Sequence, residues 1–262
     1  MKLLLIIFFL ALPLFAYEGH SKWIGIFNKD KAITYTDQKI ESTLFWEAFR
    51  KIVRKNWKAG YDITALKYGN GKWLGVFTKN SGFTDERFES AGRWKHFRPI
   101  IIRNWKEGYY LVDLEYALGK WVGIFAKGTR YSAQSYNTKK NWSQMEPVIK
   151  GRWKQGLKVT DVEQGELKWV CLFSKDPRLG RQSFSSRGYF SKIVSRIEEM
   201  WREGYIITSM AYGIGKWVVV FSQKPSSLHQ KLSFRDSMEG FTKAFEEHRK
   251  AGYFLTTLSY GF

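Results

Sequence analysis

The sequence predicts an α+β protein of five β-β-(β)-α repeats, each about 48 residues long, closed into a propeller-like, toroidal ring with its N- and C-terminal strands paired. Three observations carry that expectation. Lys-Trp recurs at Lys22-Trp23, Lys72-Trp73, Lys120-Trp121, Lys168-Trp169 and Lys216-Trp217. A second tryptophan, followed three residues later by glycine, recurs at Trp57, Trp105, Trp153 and Trp201, and Arg249 ahead of Gly252 fills the fifth slot. The chain also enters and leaves its pattern in mid-unit. Agreement between independent anchors at one period is the signature of a repeat architecture.

Each element follows from local chemistry. Ile63 to Tyr68 and Trp73 to Phe77 are apolar-rich runs separated by Gly69-Asn70-Gly71-Lys72, a sequence that predicts a tight β-hairpin. The hairpin returns at Leu111–Phe125, Val159–Phe173 and Ile207–Phe221. A polar-aromatic segment follows (Tyr35 to Gln38, Phe83 to Glu86, Tyr131 to Gln134, looser at Phe184 and Phe234) and reads as a short third strand or a turn. The period then changes. Phe45, Phe49, Val53 and Trp57 fall on one helical face, as do Phe97, Ile101 and Trp105, Met145, Ile149 and Trp153, and Ile193, Ile197 and Trp201; Phe241 and Phe245 complete the set. Gly60, Gly108, Gly156, Gly204 and Gly252 stand where helix C-caps belong, and Pro99 and Pro147 fit a first helical turn.

The boundaries supply the closure. The repeat region starts on a second strand, Trp23 to Phe27, and ends on a first strand, Leu255 to Tyr260, so the two halves complete one hairpin. A ring removes exposed sheet edges, whereas an open stack, the alternative, needs capping repeats. Residues 1–16 read as a secretory signal peptide: Lys2, an apolar stretch from Leu3 to Phe15, then Ala16 at a cleavage point. An uncleaved anchor is the competing reading of that stretch. Residues 17–262 then form a single domain without a transmembrane segment, expected in the periplasm or outside the cell. A net charge of +19 favours anionic partners, or simply keeps an exported protein soluble. With Cys171 as the only cysteine, no intramolecular disulfide is available.

The string Gly204 to Gly213, continuing from Gly215 to Ser222, together with the aromatic-Thr-Asp-Gln segment at Tyr35 to Gln38, resembles a repeat of unknown function. That repeat is found in bacterial proteins and in the C-terminal region of some plant casein-kinase-like protein kinases. The resemblance spans residues 21–262, brings no catalytic signature, and implies a binding or scaffolding module. The five-unit β-β-α ring is also similar in architecture to the pentein (arginine-deiminase-like) fold, but no matching cysteine-histidine cluster occurs here.

Two sets of residues stand out as candidate sites. Trp23, Trp73, Trp121, Trp169 and Trp217 each begin a strand beside a lysine; together with Lys72, Lys120 and Lys216 they would suit an anionic or carbohydrate ligand if half-exposed, and otherwise serve packing. The second set departs from the repeat. Ala65, Asp113, Asp161, Ser209 and Thr257 form one column of the first strand, and Lys67, Glu115, Glu163, Ala211 and Ser259 the next on the same face. If first strands line a common centre, Asp113, Glu115, Asp161 and Glu163 converge there, as a solvated wall beside Lys67, a cation site or a hydrolytic carboxylate pair. Cys171 occupies a column of small residues and reads as packing. The histidines show no metal-ligand spacing, so neither metal nor cofactor is expected. The sequence therefore suggests a non-enzymatic binding or scaffold protein for an anionic glycan or cell-envelope surface, with a hydrolase as alternative. Nucleic acid is not an expected partner, for want of a recognised motif, and the oligomeric state is not legible.

Overall fold

The computed structural model describes residues 19–223 and 229–262; the expected signal peptide lies outside them. In chain order the elements are β1 (Lys22–Lys29), β2 (Asp37–Thr43), α1 (Trp46–Lys58), β3 (Asp62–Gly69), β4 (Lys72–Lys79), β5 (Asp85–Ala91), α2 (Trp94–Lys106), β6 (Tyr110–Ala117) and β7 (Lys120–Lys127). They continue as β8 (Gln134–Lys139), α3 (Trp142–Lys154), β9 (Lys158–Gly165), β10 (Lys168–Ser174), β11 (Gln182–Arg187), α4 (Phe190–Arg202), β12 (Tyr205–Gly213), β13 (Lys216–Gln223), β14 (His229–Arg235), α5 (Met238–Lys250) and β15 (Phe254–Gly261).

The described strands form five antiparallel sheets of three: β2-β4-β3, β5-β7-β6, β8-β10-β9, β11-β13-β12 and β14-β1-β15. The third strand of the sequence pattern is real, but it does not pair with the hairpin it follows. β2 pairs with β4, across α1, so the folding unit is β-α-β-β. The fifth unit takes its middle strand from the other end of the chain: β1 pairs with β14 on one side and β15 on the other, Trp23 facing Tyr260 and Gly25 facing Leu258. The terminal strands therefore pair as expected. No sheet closes round the molecule, however. Each stops at three strands. The inner strands touch one another in the order β3, β6, β9, β12, β15, with β15 also against β3, and they do so through side chains rather than a shared backbone ladder.

Every inner strand carries a bulge at the same place, at Ile63/Ala65, Leu111/Asp113, Val159/Asp161, Ile207/Ser209 and Leu255/Thr257. Its cause is a matter of parity. Ile63 and Leu66 both pack against Phe49 and Trp73 under the helix, yet residues three apart on a regular strand point to opposite faces. One extra residue restores the agreement and leaves Ala65 and Lys67 facing the centre. Middle strands are buried on both faces: Trp73 and Phe77 pack under their own helix, while Leu74 and Val76 join the core of the fifth unit. Their uninterrupted apolar sequence follows from that double burial.

The helices run as the stripe predicts, with two corrections. Phe45 is not part of the buried face; it precedes the first turn of α1 and is 71% exposed. Pro99 and Pro147 lie inside α2 and α3, at the sixth residue, rather than in the first turn. Both are on the solvent side, where water can satisfy the carbonyl that loses its partner. Gly60 and its four equivalents end their helices with φ between 76° and 81°, the left-handed region a C′ residue requires.

Cys171 is fully buried, and burial raises its thiol well above the ordinary range. Size compensation explains its presence. In the same column Gly25, Gly75 and Gly123 lie against Phe241, Phe49 and Phe97, and a Cβ at Gly75 would come within 2.8 Å of the Phe49 ring. Where the helix offers Met145 the slot holds Cys171, and where it offers Ile193 the slot holds Val219. The cysteine fills volume.

Candidate functional site

The four sequence-predicted carboxylates do converge. Lys67 on β3 pairs with Glu115 on β6 and with Glu163 on β9, the latter at 2.7 Å (Nζ to Oε2). All three are at most 8% exposed. Glu115 also accepts the Tyr68 backbone N–H at 3.0 Å through Oε1. One layer away, Asp113 Oδ2 accepts the Leu66 N–H at 2.8 Å, Asp161 Oδ2 the Leu114 N–H at 3.0 Å, and Ser209 Oγ the Val162 N–H at 3.1 Å. The pattern is uniform. In each case a side chain from one unit's inner strand holds the backbone of the preceding unit, just past its bulge. The acidic columns are thus latches between units.

Electrostatics in this centre follow from burial. It raises the carboxyls of Glu115, Asp161 and Glu163 above their usual range, and pushes Asp113 up to about 6 against the opposing pull of Lys67 and the Leu66 N–H. Burial also works against the Lys67 charge, but Glu115, Glu163 and Asp113 outweigh it and hold the ammonium above its ordinary value. A cavity of about 60 Å³ lies beside Lys67, lined by Asp113, Asp161, Ser209 and the bulge threonines Thr64, Thr160, Thr208 and Thr256. That is room for a few water molecules, far below the ~300–1,000 Å³ typical of ligand pockets. Among the described residues no group of three or more His, Cys, Asp or Glu side chains is arranged to hold a metal ion.

The five strand tryptophans are placed otherwise than a ligand platform requires. Each is at most 1% exposed. Trp73 packs between Tyr68 of its hairpin (centroids 5.0 Å apart) and Trp46 at the start of α1 (4.7 Å). Trp121 sits likewise between Tyr116 and Trp94, and Trp217 between Tyr212 and Phe190. Trp23 packs on Tyr260 and Phe241, and Trp169 on Trp142. These are core residues, although Trp169 and Lys216 also border a cavity of about 280 Å³ together with Lys140 and Trp142. Of the lysines neighbouring the five tryptophans, Lys22 is buried, Lys72, Lys120 and Lys168 are half-buried and Lys216 is exposed, with Lys120 lying 5.1 Å over the Trp46 ring.

Sequence reasoning missed a second set of latches in the outer strands. Gln134 Oε1 accepts the Trp105 indole N–H at 2.7 Å and the Leu111 N–H at 2.9 Å, while its Nε2 donates to the Leu111 carbonyl at 2.8 Å. Gln182 does the same with Trp153 and Val159, and Gln230 with Trp201 and Ile207. Gln38 clamps both backbone groups of Leu255, joining the first unit to the fifth. The helix tryptophans therefore owe their recurrence to a hydrogen bond as well as to packing. The signal was in the sequence: residues 38, 86, 134, 182 and 230 are 48 apart.

Glu86 is the exception within this column. Its Oε2 accepts from Trp57 Nε1 at 2.7 Å and from Ile63 N at 3.0 Å, but its Oε1 is buried with no partner, having no proton to donate when ionised. Burial, followed by the charge of Asp62, pushes this carboxyl to about 8. An open groove of about 570 Å³ runs past it, lined also by Tyr61, Asp62 and Asp85.

A family model described as a domain of unknown function, DUF7477, matches residues 21–187, and the chain belongs to that family. No curated protein matches the chain.

Proposed function

We propose that this family member is a non-enzymatic binding or scaffold module of the periplasm or cell exterior, whose partner is an anionic surface or polymer of the cell envelope. The supporting observation is how charge is divided between inside and outside. Asp113, Glu115, Asp161, Glu163 and Glu86 are turned inward and used between units, with Lys67 the cation among them. The outward balance is accordingly more positive than the total of +19. Such a field draws anionic partners over distances comparable with the Debye length.

The competing reading is a hydrolase using the inward carboxylates. It is the weaker one, because Asp113, Asp161 and Glu115 each already hold a neighbour's backbone N–H and the cavity beside them is small.

The binding reading is tested by titrating a sulfated or uronic-acid polysaccharide, with a neutral glucan as control, at two salt concentrations. Affinity for the acidic polymer is expected to fall by roughly tenfold or more between low and near-molar salt, as the Debye length shrinks from ~10 Å or more to ~3 Å. Equal binding of the neutral polymer, or binding indifferent to salt, would contradict it.

A further inference from the structure

We propose that the end of the molecule bearing the hairpin turns docks on an anionic phospholipid bilayer, inserting Leu118, Leu167 and Ile214 at the headgroup boundary. This rests on the anionic-surface reading and specifies the surface.

All the turns share one end. Inner strands lie side by side in the same direction and at the same height: the Tyr260 ring covers Gly69, Tyr116 covers Gly165, Gln164 covers Gly213 and Tyr212 covers Gly261. The helices start at that end too, because each outer strand finishes beside the tryptophan that opens the middle strand, as Thr43 does beside Trp73 and Arg187 beside Trp217. Among the described residues eight large apolar side chains are exposed, and seven of them are here: three at hairpin turns, three at helix starts and Phe262 just past β15; Ile102 is the exception.

The turn residues are costly to the fold as they stand. Each hairpin loop has two left-handed positions, and Asn70-Gly71 fills them in the ordinary way. In the other hairpins Leu118 (φ 49°), Leu167 (φ 58°) and Ile214 (φ 48°) occupy such positions while 64%, 80% and 52% exposed. A β-branched residue there is an outlier, and all three side chains keep half or more of their surface in solvent. Strain concentrated on exposed apolar tips points to an occupant outside the chain.

Charge identifies that occupant. Exposed Arg93, Lys140, Arg187, Lys216 and Arg235 stand among the tips, and five helix N-termini add their positive ends. Facing copies of this surface would repel each other. The tips stand on separate turns with cations between them; Ile214 borders a cavity of about 280 Å³ with Lys140, Trp142 and Lys216, but Leu118 and Leu167 do not line it, so the three tips share no common groove. A fluid anionic interface accepts separated apolar points and pairs its headgroups with the cations between them.

The test is co-sedimentation with large unilamellar vesicles of phosphatidylcholine, with and without about one third phosphatidylglycerol, using the full domain and the variant Leu118→Asn/Leu167→Gly/Ile214→Asn. These changes restore ordinary turn residues, so the variant is expected to melt no lower than the parent. The parent is expected to bind the anionic vesicles, and the variant to lose at least tenfold in partition coefficient while keeping its acidic-polysaccharide binding. Equal partitioning of parent and variant overturns the proposal, as does absence of vesicle binding by a parent that still binds the polysaccharide. Loss of both by the parent overturns the anionic-surface reading itself. A parent that dimerises without lipid, and a variant that does not, would assign the face to a second copy instead.

Discussion

Replacing Lys67 with Met is expected to destabilise the domain by about 3–5 kcal/mol at neutral pH, the usual cost of leaving buried charges without their partner. The side chain is 10% exposed and pairs with both Glu115 and Glu163. Without it, those carboxyls must remain ionised and uncompensated or take up protons. Their pKa values, already raised by burial, would rise further. A carboxyl whose folded pKa lies above its unfolded value favours folding less as pH increases through that window. The loss should therefore be larger at pH 8 than at pH 5. The triple variant Lys67→Met/Glu115→Gln/Glu163→Gln should recover most of it, since hydrogen-bonding groups of similar shape replace the charges. Chemical denaturation at both pH values measures this; a Lys67→Met protein as stable as the parent at pH 8 would mean the centre is hydrated rather than packed.

Glu86→Gln should act in the opposite direction, raising stability by about 2–3 kcal/mol at pH 7. Gln38, Gln134, Gln182 and Gln230 each donate to a strand carbonyl from the atom that corresponds to the orphaned Oε1 of Glu86. Glutamine supplies the missing donor. It also removes a titration. The carboxyl moves from 4.5 to about 8 on folding, so the folded state holds its proton more tightly and the parent loses stability as pH rises across that range, at ~1.4 kcal/mol per unit. Glutamine does not titrate, so the gain should be small at pH 5, grow towards pH 8 and then level off. Thermal midpoints across that range decide it: a pH-independent gain would show that the Glu86 carboxyl titrates alike in the folded and unfolded chain, and no gain that the glutamine latches contribute nothing measurable.

What was legible in the sequence is instructive. Repeat number, hairpins, helices and their glycine caps could be read because each rests on local chemistry that recurs. The phase of the sheet could not, because Asp37–Thr43 is polar and short and nothing local says whether it pairs with the hairpin before it or after the helix. The bulge was legible in principle: Ile63 and Leu66, both apolar and three apart, break the period of two. Between the ligand and packing readings of the strand tryptophans, the Lys-Trp pair alone does not decide; the enclosing columns do, the tyrosines at 68, 116, 212 and 260 and the helix-start residues Trp46, Trp94, Trp142 and Phe190. The carboxylates were correctly brought together. Their hydrogen bonds to neighbouring backbones, which change their meaning from site to latch, depend on the bulge and could not be read without it.

The central claim is that inward carboxylates hold units together while the outward surface binds. The double variant Asp113→Asn/Asp161→Asn tests it most directly, since each amide keeps an acceptor for the Leu66 or Leu114 N–H while removing the charge. Its affinity for the acidic polysaccharide and its thermal midpoint at pH 8 are to be measured together, alongside glycan hydrolysis by both proteins. Unchanged affinity, with a midpoint equal to the parent's or above it, is the expected result. Loss of binding, or loss of a hydrolytic turnover present in the parent, in a variant that still folds would contradict the account.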